Sequence, residues 1–310
     1  MNQFEIIEFY LDLVRRAQER GIRCAITSGM ACVAYEVAEA TKYCDLLCDP
    51  EMDEQFLTLL SESPVGDAPC QYRGNISPPL DARWHRGGWT SHFEWPGTEA
   101  YLDVFGIAPR ARSPWQEEML SPYAHPHVVA DMKRTAREKD WPFISALGVK
   151  LVQGGDERGW LHIYDEERMR ELLCNHPDIS ASIKKARPLL ALLLAGDDAL
   201  APALRLERLF WEAVSKRRVR AYENSLRPYL VAVRKASAGK QLSLPEDHAL
   251  RVACAEEHLS PHPFSSDVLA RMIAEARQEA LQWMRPELER WLPDVIPNFT
   301  LLIPGLQSEA

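Results

Sequence analysis

The stretch Ile22–Asp49, IRCAITSGMACVAYEVAEATKYCDLLCD, decides the fold of the first half of the chain. Its opening apolar run, Ile22–Thr27, predicts a short buried strand, and the small pair Ser28-Gly29 follows directly. The next residues predict a helix, and a second apolar strand then carries Asp45 near its start. This order of strand, small-residue junction, helix and strand predicts an α/β unit.

The strand–helix junction has the chemistry of a phosphate site. A pair of small residues lets the backbone approach a phosphate, and a helix N-terminus supplies free N–H donors with a partial positive charge. Asp45 on the neighbouring strand can hold a divalent cation against the same phosphates. The sequence therefore predicts a triphosphate site. The structural alternatives are a tight turn at Ser28-Gly29 and an ion pair between Asp45 and Lys42.

Apolar spacing predicts the elements around this stretch. Gly21 ends a first helix, and the Pro- and Gly-rich residues 63–86 are expected to form loops. Two alternating segments flank a turn at Pro96-Gly97 and are expected to pair antiparallel. The predicted strands are 22–27, 43–48, 89–95 and 100–105, and the predicted helices are 3–20, 30–40, 51–61 and 140–148.

From Asp165 onward the pattern is almost wholly helical. Pro228 is expected to break a long basic helix near its middle. The predicted helices are 165–175, 178–195, 200–223, 226–236, 246–257 and 265–292. Together the two patterns predict an α+β protein, with a mixed sheet and flanking helices in residues 1–160 and an all-helical domain in residues 161–310.

Composition excludes several classes of protein. Apolar residues make up 46% of the 310 residues, which supports a sizeable core rather than a disordered chain. No run approaches the ~20 apolar residues that a membrane span needs, so no membrane partner is expected. Glu5, Glu8 and Asp12 lie early in the N-terminal segment, unlike a basic secretory signal, and a cytoplasmic location is expected.

Charge is unevenly spread along the chain. The net charge of −9 gives no general reason to expect nucleic-acid binding. Residues 205–235 nevertheless hold nine Lys and Arg residues against three Glu residues. One interpretation is a surface that contacts RNA phosphates. The other, which is favoured, is a solvated helix whose cations pair with Glu207, Glu212 and Glu223, because residues 216–220 spread round most of one turn.

The passage 22–49 resembles the polymerase β-like nucleotidyltransferase superfamily, and more narrowly its bacterial branch of abortive-infection toxins. Residues 41–46, TKYCDL, are similar to the family's Thr-x-Asp-x-Asp-Leu pattern, and Ser28-Gly29 stands where the family has its small pair. Asp103 in YLDV matches a third carboxylate on a later strand. Residues 132–140, MKRTAREKD, are similar to the branch's Lys-x-x-x-Arg-x-(Lys/Arg)-Asp segment. The resemblance covers about residues 5–150.

The resemblance implies transfer of a nucleotide from an NTP to a protein or RNA acceptor with Mg²⁺. It also implies a toxin or phage-defence context, in which a cognate antitoxin is a possible partner. Two carboxylates would hold Mg²⁺, one of them also serving as base, while small residues cradle the phosphates and cations neutralise their charge. The residues implied are Ser28 and Gly29 for the phosphates, Asp45 and Asp103 for the metal, Lys133 and Arg137 for phosphate charge, and Asp140 to orient Lys133 or assist the base.

Two positions depart from the family's pattern. Tyr43 stands where the first Asp of the acidic pair is expected, and a neutral phenol is a poor Mg²⁺ ligand. Glu39 stands where an Arg is usual, and it would repel a triphosphate. The sequence therefore leaves open whether the protein is a Mg²⁺-dependent enzyme or a catalytically inactive relative that acts as a binding or regulatory module. A structural protein whose helical half carries the function is a third possibility.

Overall fold

The computed structural model describes residues 3–39, 44–107, 115 and 122–303. These residues form an α+β protein, with a five-stranded mixed sheet and flanking helices in the N-terminal half and a long helical region after it. The predicted fold class is confirmed at this level. The strands are β1 Cys24–Thr27, β2 Cys44–Cys48, β3 Gln71–Tyr72, β4 Thr90–Glu94 and β5 Tyr101–Phe105.

The helices of the N-terminal half are α1 Gln3–Glu19, α2 Ser28–Ala34, α3 Asp53–Ser61, α4 Ala82–His85, α5 Pro126–Lys133 and α6 Trp141–Gln153. Those of the C-terminal half are α7 Glu166–Asn175, α8 Ala181–Ala186, α9 Leu190–Ala195, α10 Leu200–Ser237, α11 Leu244–His258 and α12 Ser266–Leu281. Short 3₁₀ turns lie at Pro50–Met52, Glu138–Asp140, Glu157–Leu161, Pro286–Trp291 and Ile296–Leu302.

The sheet has the strand order β1-β2-β5-β4-β3. Strand β2 runs parallel to β5 and antiparallel to β1, and the predicted antiparallel pair β4–β5 is confirmed. Two apolar clusters cover the sheet, because alternate side chains point to opposite faces. Tyr10 of α1 and Phe56 of α3 pack with Ile26 on one face, whereas Ala25 and Val129 belong to the cluster on the other.

The second cluster continues from the sheet into the helical region. Leu47 and Val129 belong to the same group of buried side chains as Phe210 of α10 and Ile273 of α12. The sheet and the helices therefore share a continuous core. The domain boundary near residue 160 stays a prediction.

Pro228 does not break the long basic helix, contrary to the prediction. Helix α10 runs unbroken from Leu200 to Ser237, a length of 38 residues. Pro228 removes one backbone N–H and displaces the carbonyl of residue 224. Both Pro228 and Asn224 are exposed, so water can hydrogen-bond the freed carbonyl.

Other proline residues do divide predicted helices. The expected helix 178–195 is two helices, α8 and α9, separated at Arg187-Pro188. The expected helix 265–292 ends at Leu281, and Pro286 opens a 3₁₀ turn. Residues 63–86 are mostly loop as expected, but they include β3 and the one-turn helix α4. No helix within the described ranges has both the length and the apolar character to cross a membrane.

A buried ion pair lies where the helices pack together. The side chains of Arg187 and Glu207 are only 1% and 2% exposed, and Arg187 Nη2 donates to Glu207 Oε2 over 2.7 Å. Arg187 Nη1 also donates to the carbonyl oxygens of Trp160 and Ile163 over 2.6 and 2.8 Å. These bonds satisfy charges that would otherwise be costly to bury.

Candidate functional site

Asp45 and Asp103 lie side by side on one face of the sheet. Strands β2 and β5 are parallel, and their register pairs the two residues directly. Side chains paired in this way point to the same face. Both are half-buried, whereas their neighbours Cys44 and Leu102 are buried on the opposite face. Had the carboxylates pointed to opposite faces, they could not have acted on one ligand.

Ser28 completes this end of the sheet. Thr27, the last residue of β1, pairs with Asp45, so the start of α2 lies next to that carboxylate. Ser28 has a φ of +55°, a left-handed conformation that costs a non-glycine residue of the order of 1–2 kcal/mol. Its hydroxyl donates a hydrogen bond to Asp45. Gly29 follows it in α2 and is half-buried. The junction is thus a strained turn tied to a carboxylate.

The electrostatic surroundings of Asp45 bring several predicted residues together. Burial raises the pKa of Asp45 to about 6, and the charge of Asp103 acts in the same direction. The hydrogen bond from Ser28 and the positive charges of Lys133 and Arg137 oppose that rise in pKa. Side chains from three other segments of the sequence therefore act on the carboxylate of Asp45.

Asp103 is held by two basic side chains. Arg73 Nη2 donates to Asp103 Oδ1 over 2.8 Å, and His92 Nδ1 lies 2.7 Å from the same oxygen. Neither bond reaches Oδ2. His92 is the register partner of Asp103 on β4, which places it on the same face. Asp103 is therefore part of an ionic network, not an isolated surface acid.

Lys133, Arg137 and Asp140 form a second ionic cluster. Lys133 ends α5 and is 6% exposed, and its Nζ lies 3.4 Å from Asp140 Oδ1. Thr135 Oγ1 and Arg137 Nε donate to Asp140 Oδ2 over 3.0 and 2.8 Å. Asp140 is 2% exposed, so neither it nor Lys133 lies on a solvated helix face. Arg137 differs, because its side chain is 56% exposed.

The donor set fits one Mg²⁺ better than two. Mg²⁺ is commonly held by one or two carboxylates together with phosphate oxygens and water, and Asp45 and Asp103 can supply such a pair. Two-metal sites need more carboxylates. Among residues 3–39, 44–107, 115 and 122–303, no group of three or more His, Cys, Asp or Glu side chains is placed to hold a metal ion. Tyr43, with Thr41 and Lys42, lies outside these ranges, and Glu39 is exposed.

A large open cleft lies apart from these carboxylates. It has a volume of about 1290 Å³ and runs between the end of α2, α6 and α7. Its charged lining includes six acidic residues and four basic ones. That excess of negative charge disfavours a triphosphate. The cleft is therefore a poorer candidate for a triphosphate than the surroundings of Asp45.

A buried Ser–His–Asp arrangement lies elsewhere in the domain. His85 Nδ1 lies 3.0 Å from Asp53 Oδ1, and His85 Nε2 lies 3.3 Å from Ser91 Oγ. These contacts have the order of a hydrolase triad. However, His85 and Ser91 are 0% exposed, and the Ser91 hydroxyl donates to the carbonyl oxygen of Pro78. No substrate can reach Ser91, so the arrangement ties α3, α4 and β4 together.

Sequence reasoning missed Arg73 and did not connect His92 with Asp103. Alternation along the β4 segment places His92 on the polar face, and that signal could have found it. Arg73 follows β3 in the Pro- and Gly-rich stretch, where no periodic pattern indicates its direction. Thr135 was likewise missed, because its role depends on the turn between α5 and α6.

Comparison with known proteins gives no match. No protein-family profile matches the sequence, and no curated protein or solved structure is significantly similar to it.

Proposed function

We propose that the protein transfers a nucleotide from an NTP to a protein or RNA acceptor at the site around Asp45. The observation that carries this proposal is the direct pairing of Asp45 and Asp103 on one face, beside Ser28. The positive charges of Lys133 and Arg137 act electrostatically on the carboxylate of Asp45. Resemblance of the motifs to nucleotidyltransferases supports the proposal independently of this geometry.

Asp45 and Asp103 would hold one Mg²⁺, which when bound neutralises phosphate charge. Ser28 and Gly29 open helix α2, whose free backbone N–H groups favour a phosphate. Lys133 and Arg137 would stabilise the negative charge that the phosphates carry through the reaction. Asp140 holds both cations in position through its two carboxylate oxygens.

Asp103 would accept the proton of the acceptor hydroxyl as its oxygen bonds to the α-phosphorus of the NTP, while the bond from that phosphorus to the departing pyrophosphate breaks. Its Oδ1 is occupied by Arg73 and His92, and this fixes the orientation of the carboxylate. Arg73 is therefore a positioning residue in this proposal. The proton would go to Oδ2, which neither of those two bonds reaches.

Label transfer tests the proposal. The purified protein is incubated with each α-³²P-labelled NTP, Mg²⁺ and a bacterial lysate, and labelled RNA and protein are separated on gels. We expect label in one fraction, at least 100-fold less label with Asp45→Asn, and unchanged label with the exposed control Asp67→Asn. No label above that of Asp45→Asn with any NTP would refute nucleotidyl transfer.

A catalytically inactive binding module is the second candidate. It is favoured by Tyr43 and Glu39 in the sequence and by the engagement of Asp103 with Arg73. Such a protein would bind an NTP equally well with Mg²⁺ and with EDTA, and it would transfer no label. Label transfer, together with NTP binding measured with Mg²⁺ and with EDTA, therefore distinguishes the two candidates.

The biological context belongs to the proposal and rests on the motif resemblance. A nucleotidyltransferase toxin of a phage-defence system would act in the cytoplasm, where NTPs and Mg²⁺ are present, and would be restrained by a cognate antitoxin. Induced expression in a bacterial host tests this. We expect growth arrest with the wild-type chain and normal growth with Asp45→Asn. Equal growth of the two strains, with both proteins detected in the cells, would refute the toxin context.

A further inference from the structure

Four exposed cations form a stripe along helix α10. Lys216, Arg220, Arg227 and Arg234, here called the cationic stripe, are all exposed. At 100° per residue, their positions lie within about 40° of arc on the helix. They span 18 residues, or about 27 Å. The stripe exists only because the helix continues through Pro228, which aligns the cations on both sides of that residue.

The acids of the same helix do not neutralise the stripe. Glu207 is 2% exposed and pairs with Arg187, and the carboxylate of Glu212 accepts a hydrogen bond from Trp141. The pairing of the basic segment with these two glutamates, which the sequence favoured, is therefore wrong. Within the described part of the chain, none of the four stripe residues forms an ion pair.

A neighbouring arginine of α10, unlike the stripe residues, is ion-paired. Arg217 lies on the flank of the helix and pairs with Glu275 and Glu279 of α12. Between residues 216 and 234 of α10 the acid is Glu223, which lies about 20° outside the arc of the stripe, so this face of the helix carries a net charge of about +3. This occurs in a chain with a net charge of −9. Unpaired cations aligned against the overall charge indicate a polyanionic partner.

We propose that the cationic stripe binds the phosphodiester backbone of a nucleic acid. A length of about 27 Å matches about eight successive phosphates in one strand of a duplex. The stripe itself contains no aromatic side chain on which a base could stack. Contacts to phosphates position a nucleic acid but carry no sequence information, so binding is expected to be indifferent to sequence.

This inference goes beyond the proposed function and does not depend on it. Binding through the stripe needs neither NTP nor Mg²⁺. If the acceptor is RNA, the stripe is a surface that would hold it. If the acceptor is a protein, the binding of nucleic acid by the stripe is a separate activity.

Salt-dependent binding tests the proposal. Fluorescence anisotropy is measured with fluorescein-labelled 20-nucleotide single-stranded RNA, duplex RNA and duplex DNA, in EDTA, between 50 and 200 mM NaCl. Four phosphate contacts predict a slope of log K against log salt of about −3 for single strands and about −3.6 for duplexes. The three probes identify which source of phosphodiester the stripe prefers.

The variant Arg220→Gln/Arg227→Gln removes half of the stripe. We expect the slope to fall to about half and the affinity at 100 mM salt to drop roughly 25- to 60-fold. Both side chains are exposed, so the fold is expected to be retained, and circular dichroism checks this. The control Arg15→Gln/Arg20→Gln removes the same net charge from the region of α1, where both arginines are ion-paired, and should leave the slope unchanged.

Three results would overturn the inference. The first is no binding to any of the three probes at 50 mM salt. The second is an equal loss of slope in the Arg15/Arg20 control. The third is stripe-dependent binding of phosphatidylserine vesicles or polyglutamate without binding of nucleic acid. None of these results bears on label transfer, so failure here is distinct from failure of the proposed function.

Discussion

Replacing Asp45 with asparagine should stabilise the folded protein at neutral pH. Burial is the main cause that raises the pKa of Asp45 in the folded protein to about 6, from its ordinary value of 3.8. A group whose folded pKa is raised binds its proton more tightly in the folded state. Ionisation of Asp45 therefore leaves the free energy of unfolding unchanged only at a pH well below 3.8. The destabilisation grows between the two pKa values and is complete above pH 7.

The size of the effect follows from the shift. A rise of about two pKa units corresponds to about 3 kcal/mol when the carboxylate is fully ionised. Asp45 is only half-buried, so water screens part of this, and we expect about 1–2 kcal/mol. Asparagine keeps an oxygen that can accept the hydrogen bond from Ser28 and carries no charge to repel Asp103.

The assay is urea unfolding of the wild type and Asp45→Asn in EDTA at pH 4.5, 6 and 8, followed by far-UV circular dichroism. The variant should be more stable by about 1–2 kcal/mol at pH 8, by slightly less at pH 6, and by roughly a third to a half of the pH 8 difference at pH 4.5. Asp67→Asn, at an exposed position, should follow the wild type throughout.

Equal stability at pH 8, or a variant that is less stable there, would refute the reasoning. Either result would mean that the surroundings of Asp45 favour its charged form. The partly desolvated carboxylate of Asp45 would then not be a cost to stability that the fold carries for function.

Other changes test the packing around the site. Arg187→Met should lower the free energy of unfolding by about 3–5 kcal/mol, because it leaves Glu207 buried and unpaired; Arg187→Met/Glu207→Leu should recover most of that loss in the same urea assay. Pro228→Ala should raise the free energy of unfolding by about 1–3 kcal/mol, because α10 is already continuous there and alanine fits a helix better than proline. A free energy of unfolding below that of the wild type would contradict this. A fluorophosphonate probe should not label the native protein, because Ser91 is 0% exposed; labelling that disappears in Ser91→Ala would contradict this.

Local sequence predicted the elements that build the site. The apolar runs that became β1, β2, β4 and β5 are short and clearly bounded, and their alternation or burial shows directly in the sequence. Placing Asp45 and Asp103 on separate strands was therefore possible. The register that pairs the two residues could not be predicted, because strand pairing depends on long-range packing that no local pattern records.

Proline effects were the least predictable part of the helical half. Pro188 ends α8 and Pro228 leaves α10 intact, although both interrupt apolar helical patterns. Exposure of the residue four positions earlier does not separate the two cases, because Lys184 and Asn224 are both exposed. Because the sequence predicted a break at Pro228, the alignment of Arg220 with Arg227 on one helix face could not be predicted. The role of Arg73 could not be predicted either, since the direction of its side chain depends on the conformation of a loop.

Calorimetric titration of each of the four NTPs into the protein tests the central claim most directly. The claim is that Asp45 and Asp103 form one Mg²⁺-dependent nucleotide site. With Mg²⁺, we expect binding of at least one NTP, at least a tenfold loss of affinity in Asp45→Asn and in Asp103→Asn, and no loss in Asp67→Asn. NTP binding that is the same in EDTA and unaffected by both site variants would contradict the claim, as would no binding of any NTP.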